Sequence, residues 1–242
     1  MTDPRVPAEW TGGEIAVIGL GKSGSAVSTL LVGKGAKIYA SDAGDTQATN
    51  GAAAVLRALG VAVDVGKHDL DRIRRAKLVV ASPGVPPEAP PLAAAREANV
   101  PVVGEIEVAL RTTPALRYVA ITGTNGKTTT TALIAHLFRA LGLDAVAGGN
   151  IGTPLAEIAA RTKLPDWVAL EVSSFQLHDA PSIAPQVGVL TNLAPDHLDR
   201  YASVEEYYAD KARLFANGSD TSRWVVNGAV DSPTTTEDVP AA

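Results

Sequence analysis

Apolar and polar positions along the chain form two kinds of segment that alternate. Short runs such as residues 14–19 (EIAVIG) and 77–82 (KLVVAS) are almost continuously apolar, which is typical of strands buried on both faces. Alanine-rich stretches of helical character separate these runs. Strands that alternate with helices predict parallel βαβ units and a doubly wound sheet. In the first part of the chain we predict strands at 14–19, 37–42, 61–65, 77–82 and 100–104 and helices at 23–34, 52–59 and 90–99.

A polar, proline-marked stretch at residues 111–116 (RTTPAL) interrupts this pattern, which then restarts. We therefore expect a domain boundary near residue 116, with a first domain at 1–116 and a second at 117–230. The last residues, 231–242 (DSPTTTEDVPAA), are polar and contain proline, so we expect a disordered tail. The predicted fold class is α/β, with an N-terminal Rossmann-like doubly wound parallel sheet followed by a second α/β domain. In the second domain we predict strands at 117–122, 168–172, 187–191 and 223–227 and helices at 127–141 and 204–215.

Composition narrows the possible classes of protein. The chain has 242 residues, of which 46% are hydrophobic and only 5% aromatic, so the core must be built from Ala, Val, Leu and Ile. A formal net charge of −5 argues against a general nucleic-acid binder, because no basic stripe is available to contact phosphates. The absence of cysteine excludes disulfides and thiolate metal sites. No apolar run reaches ~18 residues, and we expect a soluble, cytoplasmic protein with no nucleic-acid and no membrane partner.

A glycine-rich loop at residues 19–24 (GLGKSG) matches G-x-G-x-x-G and lies between a predicted strand and a predicted helix. Glycines permit a tight turn, and the helix N-terminus attracts a diphosphate. Asp42 ends the next strand, where an acid that binds ribose belongs. We interpret the loop as a nucleotide diphosphate site; a tight turn without a ligand is the alternative, and the motif alone does not specify NAD. Residues 82–86 (SPGVP) follow the fourth strand, where Gly84 either admits a ligand or belongs to a proline-stiffened turn.

A second glycine-rich stretch, residues 123–128 (GTNGKT), is close to the phosphate-loop pattern G-x-x-x-x-G-K-[ST], but Ile121 stands where that pattern has its first glycine. Backbone N–H groups, the helix dipole and Lys127 can still surround a phosphate at this altered spacing. Thr128 has the position whose hydroxyl holds Mg²⁺ in such loops. The alternative is a polar helix cap without a ligand. We predict a nucleotide site, and hence a second domain of the P-loop ATPase type.

Two further segments supply candidates for a metal. Glu171 lies in the apolar strand 168–172, where an ionised carboxylate is costly unless it meets a cation; a solvent-facing strand end is the alternative. The loop at 191–201 (TNLAPDHLDRY) concentrates ionisable groups, and His197 could bind a metal or a phosphate, although a lone histidine is more often structural. Lys211, in an amphipathic helix, has no feature that distinguishes it from a solvent-exposed lysine.

Taken together, these motifs resemble the Mur ligase family. Their order and spacing extend to about residue 227, and the resemblance is specific because no single motif carries it. Within that family, the pair Phe175-Gln176 favours the branch that adds D-glutamate. Folylpolyglutamate synthetases share the style of the second loop but would not be expected to carry the first domain. The matching motifs are GLGKSG (19–24), SPGVP (82–86), GTNGKTTT (123–130), GGNIG (148–152), EVSSFQL (171–177), PDHLDRY (195–201) and YYADKAR (207–213).

The resemblance implies which residues bind the nucleotide-linked substrate. The first domain would bind the uridine diphosphate part of UDP-N-acetylmuramoyl-L-alanine, and not NAD. A second group of residues would face the muramoyl-alanine part of the same molecule. The candidates are Lys22, Ser23, Asp42 and Gly84 for the uridine diphosphate and Asn150, Ser173, Ser174 and Gln176 for the remainder.

The resemblance also implies an ATP and Mg²⁺ site in the second domain. Thr128 and Glu171 would hold one Mg²⁺, and His197 would serve a second. Lys211 matches the lysine that the family carbamylates with CO₂, which converts an ammonium into an anion able to bind metal. Lys127, His197 and Lys211 would be the catalytic residues. The residues that would hold ATP are Gly123, Thr124, Asn125, Gly126, Lys127, Thr128 and Thr129.

The activity implied by the resemblance is that of an ATP-dependent ligase of peptidoglycan precursor synthesis, and so of cell wall biogenesis, cell shape and cell division. ATP would convert a carboxylate into an acyl phosphate, which the amine of D-glutamate attacks. A ligase of this kind has a third, C-terminal domain for the amino acid, so we expect a truncated chain, a partial central domain that is marginal in stability, an autonomously folding first domain and a monomer. The alternatives are an inert fragment that binds only the UDP-substrate or nucleotide, and an NAD-dependent enzyme joined to a P-loop kinase.

Overall fold

The computed structural model of the chain describes residues 6–196 and 200–227, which form two compact units. Unit 1 comprises Met1–Pro114 together with Pro154–Thr162, and unit 2 comprises Ala115–Thr153 and Lys163–Ala242. The segment Pro154–Thr162 therefore belongs to unit 1, whereas the sequence pattern assigned it to the second domain. The reason is its small amphipathic helix, whose buried residues pack within unit 1. The chain thus passes from unit 2 into unit 1 and returns.

Unit 1 contains a five-stranded parallel sheet in the order β3-β2-β1-β4-β5. Its central strand β1 pairs with β2 through Ile15↔Ile38 and with β4 through Ile15↔Leu78. The strands are β1 (Glu14–Ile18), β2 (Lys37–Asp42), β3 (Ala62–Val65), β4 (Leu78–Ala81) and β5 (Val102–Gly104). The helices are α1 (Lys22–Gly33), α2 (Gln47–Ala58), α3 (Leu70–Arg74), α4 (Pro90–Glu97) and α5 (Glu105–Thr112), with α7 (Leu155–Ala159) from the returning segment and a short 3₁₀ helix at Ala8–Trp10.

Unit 2 contains a second five-stranded parallel sheet, in the order β10-β9-β6-β8-β7. Its central strand β6 pairs with β8 through Ile121↔Glu171 and with β9 through Thr122↔Leu190. The strands are β6 (Tyr118–Thr122), β7 (Ala145–Gly149), β8 (Trp167–Glu171), β9 (Val187–Leu190) and β10 (Arg223–Val226). The helices are α6 (Lys127–Ala140), α8 (Ser174–His178) and α9 (Val204–Ala212), followed by a short 3₁₀ helix at Arg213–Phe215.

Each unit has an aliphatic core, as the low aromatic content requires. In unit 1, Ile18, Val79 and Ala95 belong to one buried cluster between the sheet and its helices. In unit 2, Val119 and Ile121 of β6 belong to the corresponding cluster. Burial of these apolar side chains is the main stabilising term in each unit, at roughly 25 cal/mol per Å² of apolar surface removed from water.

The predicted α/β fold class, with two parallel sheets that alternate with helices, is confirmed. Four short helices (α3, α5, α7 and α8) and strand β7 were not predicted from the sequence. Strand β7 has the sequence AVAGG. Because glycine weakens the strand pattern, the sequence did not predict this strand, and its pairing with β8 defines it. None of the described helices has both the length and the apolar composition needed to cross a bilayer.

Candidate functional site

The first glycine loop leaves the central strand of unit 1 at the point where the strand order reverses. Strands β2 and β4 lie on opposite sides of β1, and ligands of open parallel sheets bind outside the carboxyl ends of strands at such a point. Gly19 has φ +95°, and a Cβ at Gly24 would overlap the Gly19 carbonyl oxygen. Helix α1 begins at Lys22 with Gly21 as its N-cap and no side-chain cap. Without a side-chain cap, this helix N-terminus can present backbone N–H groups and the positive end of its dipole to an anion.

Asp42 braces this loop. Its Oδ2 accepts a hydrogen bond from the backbone N–H of Leu20 at 2.7 Å, and its Oδ1 accepts one from Gly44 at 2.7 Å. Both carboxylate oxygens thus have backbone donors, although each oxygen retains a second lone pair that a ribose hydroxyl could use. The residue predicted to contact ribose therefore holds the phosphate loop and the end of β2 together.

The other unit 1 candidates surround the same strand ends. Lys22 is exposed, Ser23 is half-buried in the first turn of α1, and Gly84 is exposed in the turn after β4. Ser82, in that turn, donates from Oγ to the Gly19 carbonyl oxygen at 3.2 Å. The motifs GLGKSG and SPGVP are therefore in direct contact, and we identify Ser82 as a loop-supporting residue that the sequence did not single out.

The second glycine loop leaves the central strand of unit 2, between β8 and β9. Gly123 has φ +142°, and a Cβ there would overlap Oγ1 of Thr191. Gly126 is the N-cap of α6 in a left-handed conformation with φ +80°. This explains the altered glycine spacing, because the two positions that need glycine are 123 and 126, and Ile121 is a buried strand residue.

Residues after β9 fasten the second loop. The backbone N–H of Thr124 donates to the Asn192 carbonyl at 3.0 Å, and that of Asn125 donates to Oδ1 of Asn192 at 2.9 Å. Oγ1 of Thr191 donates to the Asn125 carbonyl at 2.7 Å. The start of the loop at 191–201 therefore shapes the phosphate loop, whatever its later residues do.

Two lysines converge on one carbonyl oxygen of the loop. The Nζ of Lys127 donates to the carbonyl oxygens of Gly123 at 2.9 Å and Thr124 at 2.8 Å. The Nζ of Lys211, on α9, donates to the same Gly123 oxygen at 2.9 Å. Lysine side chains are almost never fully buried, yet Lys211 is only 2% exposed. The structure therefore distinguishes Lys211 from a solvent-exposed lysine, which the helical pattern alone could not do.

The surroundings of Lys211 change its acid–base behaviour. Burial, with the positive charge of Lys127 as a second cause, lowers the pKa of Lys211 to about 7, and Asp196 opposes the shift. The Nζ lies 4.6 Å from the ring centroid of Tyr207, one helical turn earlier on α9. Near neutral pH a substantial fraction of Lys211 is therefore an uncharged, nucleophilic amine.

Tyr207 connects α9 to the loop. Its hydroxyl lies 3.1 Å from Oγ1 of Thr124, and that Oγ1 also donates to the Ala194 carbonyl at 3.0 Å. Tyr207 is 1% exposed. The sequence offered only weak signals for this residue, namely its spacing of four from Lys211 and its place within YYADKAR.

Glu171 ends β8 with its side chain buried. Its Oε1 accepts from Nδ2 of Asn150 at 3.1 Å, and among the described residues it has no cationic side-chain partner. A buried carboxylate with a neutral amide partner and a hydroxyl such as that of Thr128 is a donor set that suits Mg²⁺. The residues therefore fit this metal, although the described residues contain no group of three or more His, Asp or Glu side chains. Thr128 and Thr129 are exposed on the first turn of α6, and His197 lies outside the described residues.

The remaining candidates form a capping box at the start of α8. Oγ of Ser173 accepts from the N–H of Gln176 at 3.3 Å, and the Ser173 N–H donates to Oε1 of Gln176 at 3.0 Å. Ser174 is buried at the first position of the helix. Ser173 and Gln176 thus shape the helix N-terminus, a structural role that the S-x-x-Q spacing within EVSSFQL indicates.

Comparison with known families assigns both units. Residues 13–104 match the model described as "Mur ligase MurD-like, N-terminal domain", and residues 121–239 match that described as "Mur ligase middle domain". The two matches together include both glycine loops, Glu171 and Lys211.

Curated proteins and solved structures agree with this assignment. The chain is 42% identical over 217 residues to the UDP-N-acetylmuramoylalanine–D-glutamate ligase of Desulfatibacillum aliphaticivorans, covering 90% of this chain and 48% of that protein. It is 45% identical over 209 residues to the same-named ligase of Pelotomaculum thermopropionicum, covering 86% and 46%. The chain thus spans about half the length of the curated relatives that it matches. The fold resembles the crystal structure of UDP-N-acetylmuramate:L-alanyl-gamma-D-glutamyl-meso-diaminopimelate ligase from Neisseria meningitides, at TM-score 0.61 and 20% identity, covering 94% of this chain and 74% of that one.

Proposed function

Since the chain belongs to the Mur ligase family, we propose that it supplies the UDP-substrate site and the ATP site of an ATP-dependent ligase that joins D-glutamate to UDP-N-acetylmuramoyl-L-alanine. Unit 1 would bind the uridine diphosphate, and unit 2 would bind ATP with Mg²⁺. The relatives named as D-glutamate ligases, at 42% and 45% identity, support this branch of the family.

The observation that carries the proposal is the pair of lysine Nζ groups on the Gly123 carbonyl. Lys127 and Lys211 both lie within hydrogen-bond distance of this oxygen, at the N-terminal end of a 14-residue helix. The Lys127 side chain and the helix dipole at this loop suit a highly charged ligand such as a nucleoside triphosphate. A polar helix cap without a ligand would not need a second lysine buried from α9.

The chemistry that we propose begins with a carboxylate, which resists attack by an amine because it is anionic and has a poor leaving group. An oxygen of the carboxylate attacks the γ-phosphorus of ATP, the bond to ADP breaks, and an acyl phosphate forms. The amine of D-glutamate then attacks the acyl carbon, and phosphate leaves as the amide forms. Lys127 would neutralise charge on the transferred phosphoryl group, which is the main service a protein gives to phosphoryl transfer. Thr128 and Glu171 would hold Mg²⁺, which supplies further charge neutralisation.

Lys211 would act as a carbamate. Its uncharged amine attacks the carbon of CO₂, an N–C bond forms, one C–O π pair moves to oxygen, and the nitrogen loses a proton. The lowered pKa of Lys211 favours this step, because only the uncharged amine has a free electron pair. The product is an anion close to Lys127, and it would add an oxygen donor for metal.

The substrate contacts are extrapolated from position. Lys22, Ser23, Asp42 and Gly84 lie at the carboxyl ends of the unit 1 strands or at the start of α1, where a diphosphate and its ribose would lie. Asn150, Ser173, Ser174 and Gln176 lie after β7 and β8 in unit 2, and we assign them to the muramoyl-alanine part. His197 keeps its proposed role at a second Mg²⁺.

Isothermal titration calorimetry on the whole chain tests the proposal. We expect binding of UDP, of UDP-N-acetylmuramoyl-L-alanine and of Mg²⁺-ATP, and no binding of NAD. Tight NAD binding without uridine binding would instead support a dehydrogenase joined to a P-loop kinase. A phosphate-release assay with D-glutamate then separates a working ligase from the second candidate, a chain that only binds its ligands.

A further inference from the structure

One buried carboxylate of unit 2, that of Asp210, has no role in the function proposed above. Asp210 directly precedes Lys211 on α9 and is only 7% exposed. Its Oδ1 lies 2.9 Å from Nδ1 of His178 and accepts from Nε of Arg213 at 2.8 Å. Its Oδ2 accepts from the Tyr201 hydroxyl at 3.1 Å. Because a carboxylate can only accept, Nδ1 of His178 is the donor in its contact, and three side chains donate to this one group.

The three donors come from different segments of the chain. His178 is the last residue of α8, Tyr201 lies in the loop before α9, and Arg213 follows α9. Tyr201 also stacks on Phe175 of α8, with the ring centroids 5.2 Å apart. The contact with Arg213 alone would add little, since an (i, i+3) ion pair on one helix is weak. The contacts from α8 and from the loop are different, because they hold α9 against another helix.

The position of α9 determines where the Lys211 amine lies. Successive residues of a helix point about 100° apart, so Asp210 faces α8 while Lys211 faces the second glycine loop. There its Nζ donates to the Gly123 carbonyl at 2.9 Å. A lysine side chain is long and flexible, and it carries its amine into water when its backbone is free to move. Retention of the amine at Gly123 therefore requires that α9 be held in place.

We propose that Asp210 is a positioning residue that holds α9 against α8 and thereby keeps the Lys211 amine at the Gly123 carbonyl, in place for its reaction with CO₂. The inference rests on the proposed function, which assigns a carbamate to Lys211. Removal of the Asp210 carboxylate would let α9 move away from α8, and the amine would leave the loop for water. Asp210 thus supports formation of the carbamate without contact to the reacting atoms.

Chemical labelling of the whole chain tests where the amine lies. In CO₂-free buffer, acetic anhydride acetylates exposed amines, and peptide mass spectrometry gives the rate at each lysine. We expect Lys211 of the unmodified protein to react far more slowly than Lys163, which is 86% exposed and serves as the internal reference. Asp210→Ala should raise the Lys211 rate at least about tenfold, because hydrogen bonds to a charged group are lost. His178 and Arg213 are exposed and would be solvated in this variant, so it should fold, which circular dichroism checks.

Two further variants separate the position of α9 from its stability as a helix. Asp210→Asn can keep all three contacts, because its Oδ1 still accepts and its Nδ2 can donate to the Tyr201 oxygen, so Lys211 should stay slow. Ser203→Ala is the matched control. It removes the N-cap of α9, whose Oγ accepts from the N–H of Glu206 at 3.2 Å, and it leaves the Asp210 carboxylate in place. The change lies about two turns from Lys211, which should also stay slow.

A ¹³C NMR spectrum recorded with ¹³C-labelled bicarbonate gives the second readout. The unmodified protein and Asp210→Asn should show a carbamate signal, which is assigned to Lys211 by its loss in Lys211→Arg. Asp210→Ala should lose this signal, because an amine in water behaves like any other exposed lysine.

The outcomes separate this inference from the proposed function. Slow acetylation of Lys211 in Asp210→Ala, or a carbamate signal retained there, would overturn the inference and leave the proposed function standing. Equally fast acetylation in Ser203→Ala would show that Asp210 only stabilises the helix, which also overturns the inference. An unmodified protein without a carbamate signal, but with the expected order of acetylation rates, would remove the carbamate from the proposed function and leave Asp210 as the residue that places the amine.

Discussion

The two glycine loops leave the central strands of their sheets, but side chains of opposite charge brace them. In unit 1, the Asp42 carboxylate accepts from the backbone N–H of Leu20 at 2.7 Å. In unit 2, the Nζ groups of Lys127 and Lys211 each donate to the Gly123 carbonyl at 2.9 Å. A carboxylate therefore accepts from an N–H group of the first loop, whereas two lysine side chains donate to a carbonyl group of the second. The first loop loses a phosphate donor, and the second gains positive charge.

This difference indicates which ligand suits each loop. A loop with an anionic brace holds a diphosphate less strongly by charge alone, so contacts to the nucleoside have to supply affinity and specificity. A loop with a lysine side chain at the start of its helix favours the most highly charged ligand available, a triphosphate. The spacing of the glycines does not predict this difference in charge between the loops. It indicates only where the backbone needs a positive φ or a close approach.

The largest expected effect comes from removing a cation from unit 2. Lys127→Met keeps most of the length of the side chain but abolishes its hydrogen bonds to the Gly123 and Thr124 carbonyls and its charge. We expect Mg²⁺-ATP affinity to fall at least about 100-fold, or about 2.7 kcal/mol, measured by calorimetry. UDP affinity should stay unchanged, because the loss is confined to the second loop.

Lys163→Met is the matched control for Lys127→Met. Lys163 is 86% exposed and makes only a long ion pair with Asp144, so its replacement should change neither affinity. An equal loss of ATP and UDP binding in Lys127→Met would contradict the separation of the two loops. A loss of ATP binding in Lys163→Met would indicate a general effect of charge on unit 2.

The sequence predicted most strands of both sheets. It did not predict the side-chain contacts of Asp42, Lys127 and Lys211 that hold the two glycine loops. Continuous apolar runs such as residues 77–82 predict buried parallel strands because burial on both faces leaves no alternation. Helix α7 could not be assigned to unit 1, because its partners lie far away in the chain. Tyr207 was not identified for the same reason, since its hydroxyl contacts Thr124, which is 83 residues away in the chain. Lys211 was selected only by resemblance, and its burial is a property of tertiary packing.

A smaller effect is expected from changing the anionic brace of unit 1. Asp42→Asn keeps the shape of the side chain but turns one acceptor into an NH₂ group, which would face the N–H of Leu20 or Gly44. Loss of one charge-assisted hydrogen bond should lower UDP affinity about tenfold and leave ATP affinity unchanged, again by calorimetry. If the carboxylate served only to repel phosphate, the Asp42→Asn variant would bind UDP more tightly. That result would show that Asp42 opposes UDP binding and does not support the first loop.

Each unit also buries an ionisable side chain whose pKa is shifted to about 7, and the two side chains are of opposite type. Unit 2 buries Lys211, whose pKa is lowered to about 7, and unit 1 buries Glu105, whose pKa burial raises to about 7. The Glu105 carboxylate accepts from the N–H of Ala156, which ties α7 to the start of α5. Both groups resist ionisation for the same reason, the cost of removing a charge from water.

The smallest expected effect is a pH-dependent change in the stability of unit 1. The pKa of Glu105 is near 4.5 in the unfolded chain and about 7 in the folded one, so its contribution to stability is fully present below pH 4.5 and is lost as pH rises through 7. Glu105→Gln keeps an acceptor for Ala156 and cannot ionise. At pH 8 the free energy of unfolding of this variant should therefore be about 1 kcal/mol higher than that of the unmodified protein. The gain from removing the buried charge is larger than this, but the cost of burying the amide offsets part of it. Hydrogen exchange of the unit 1 amides at pH 5 and pH 8 measures the difference in unfolding free energy between the two proteins. This difference should be smaller at pH 5. A gap that is equal at both pH values would show that Glu105 ionises as easily in the folded unit as in water, and the contrast with Lys211 would then fail.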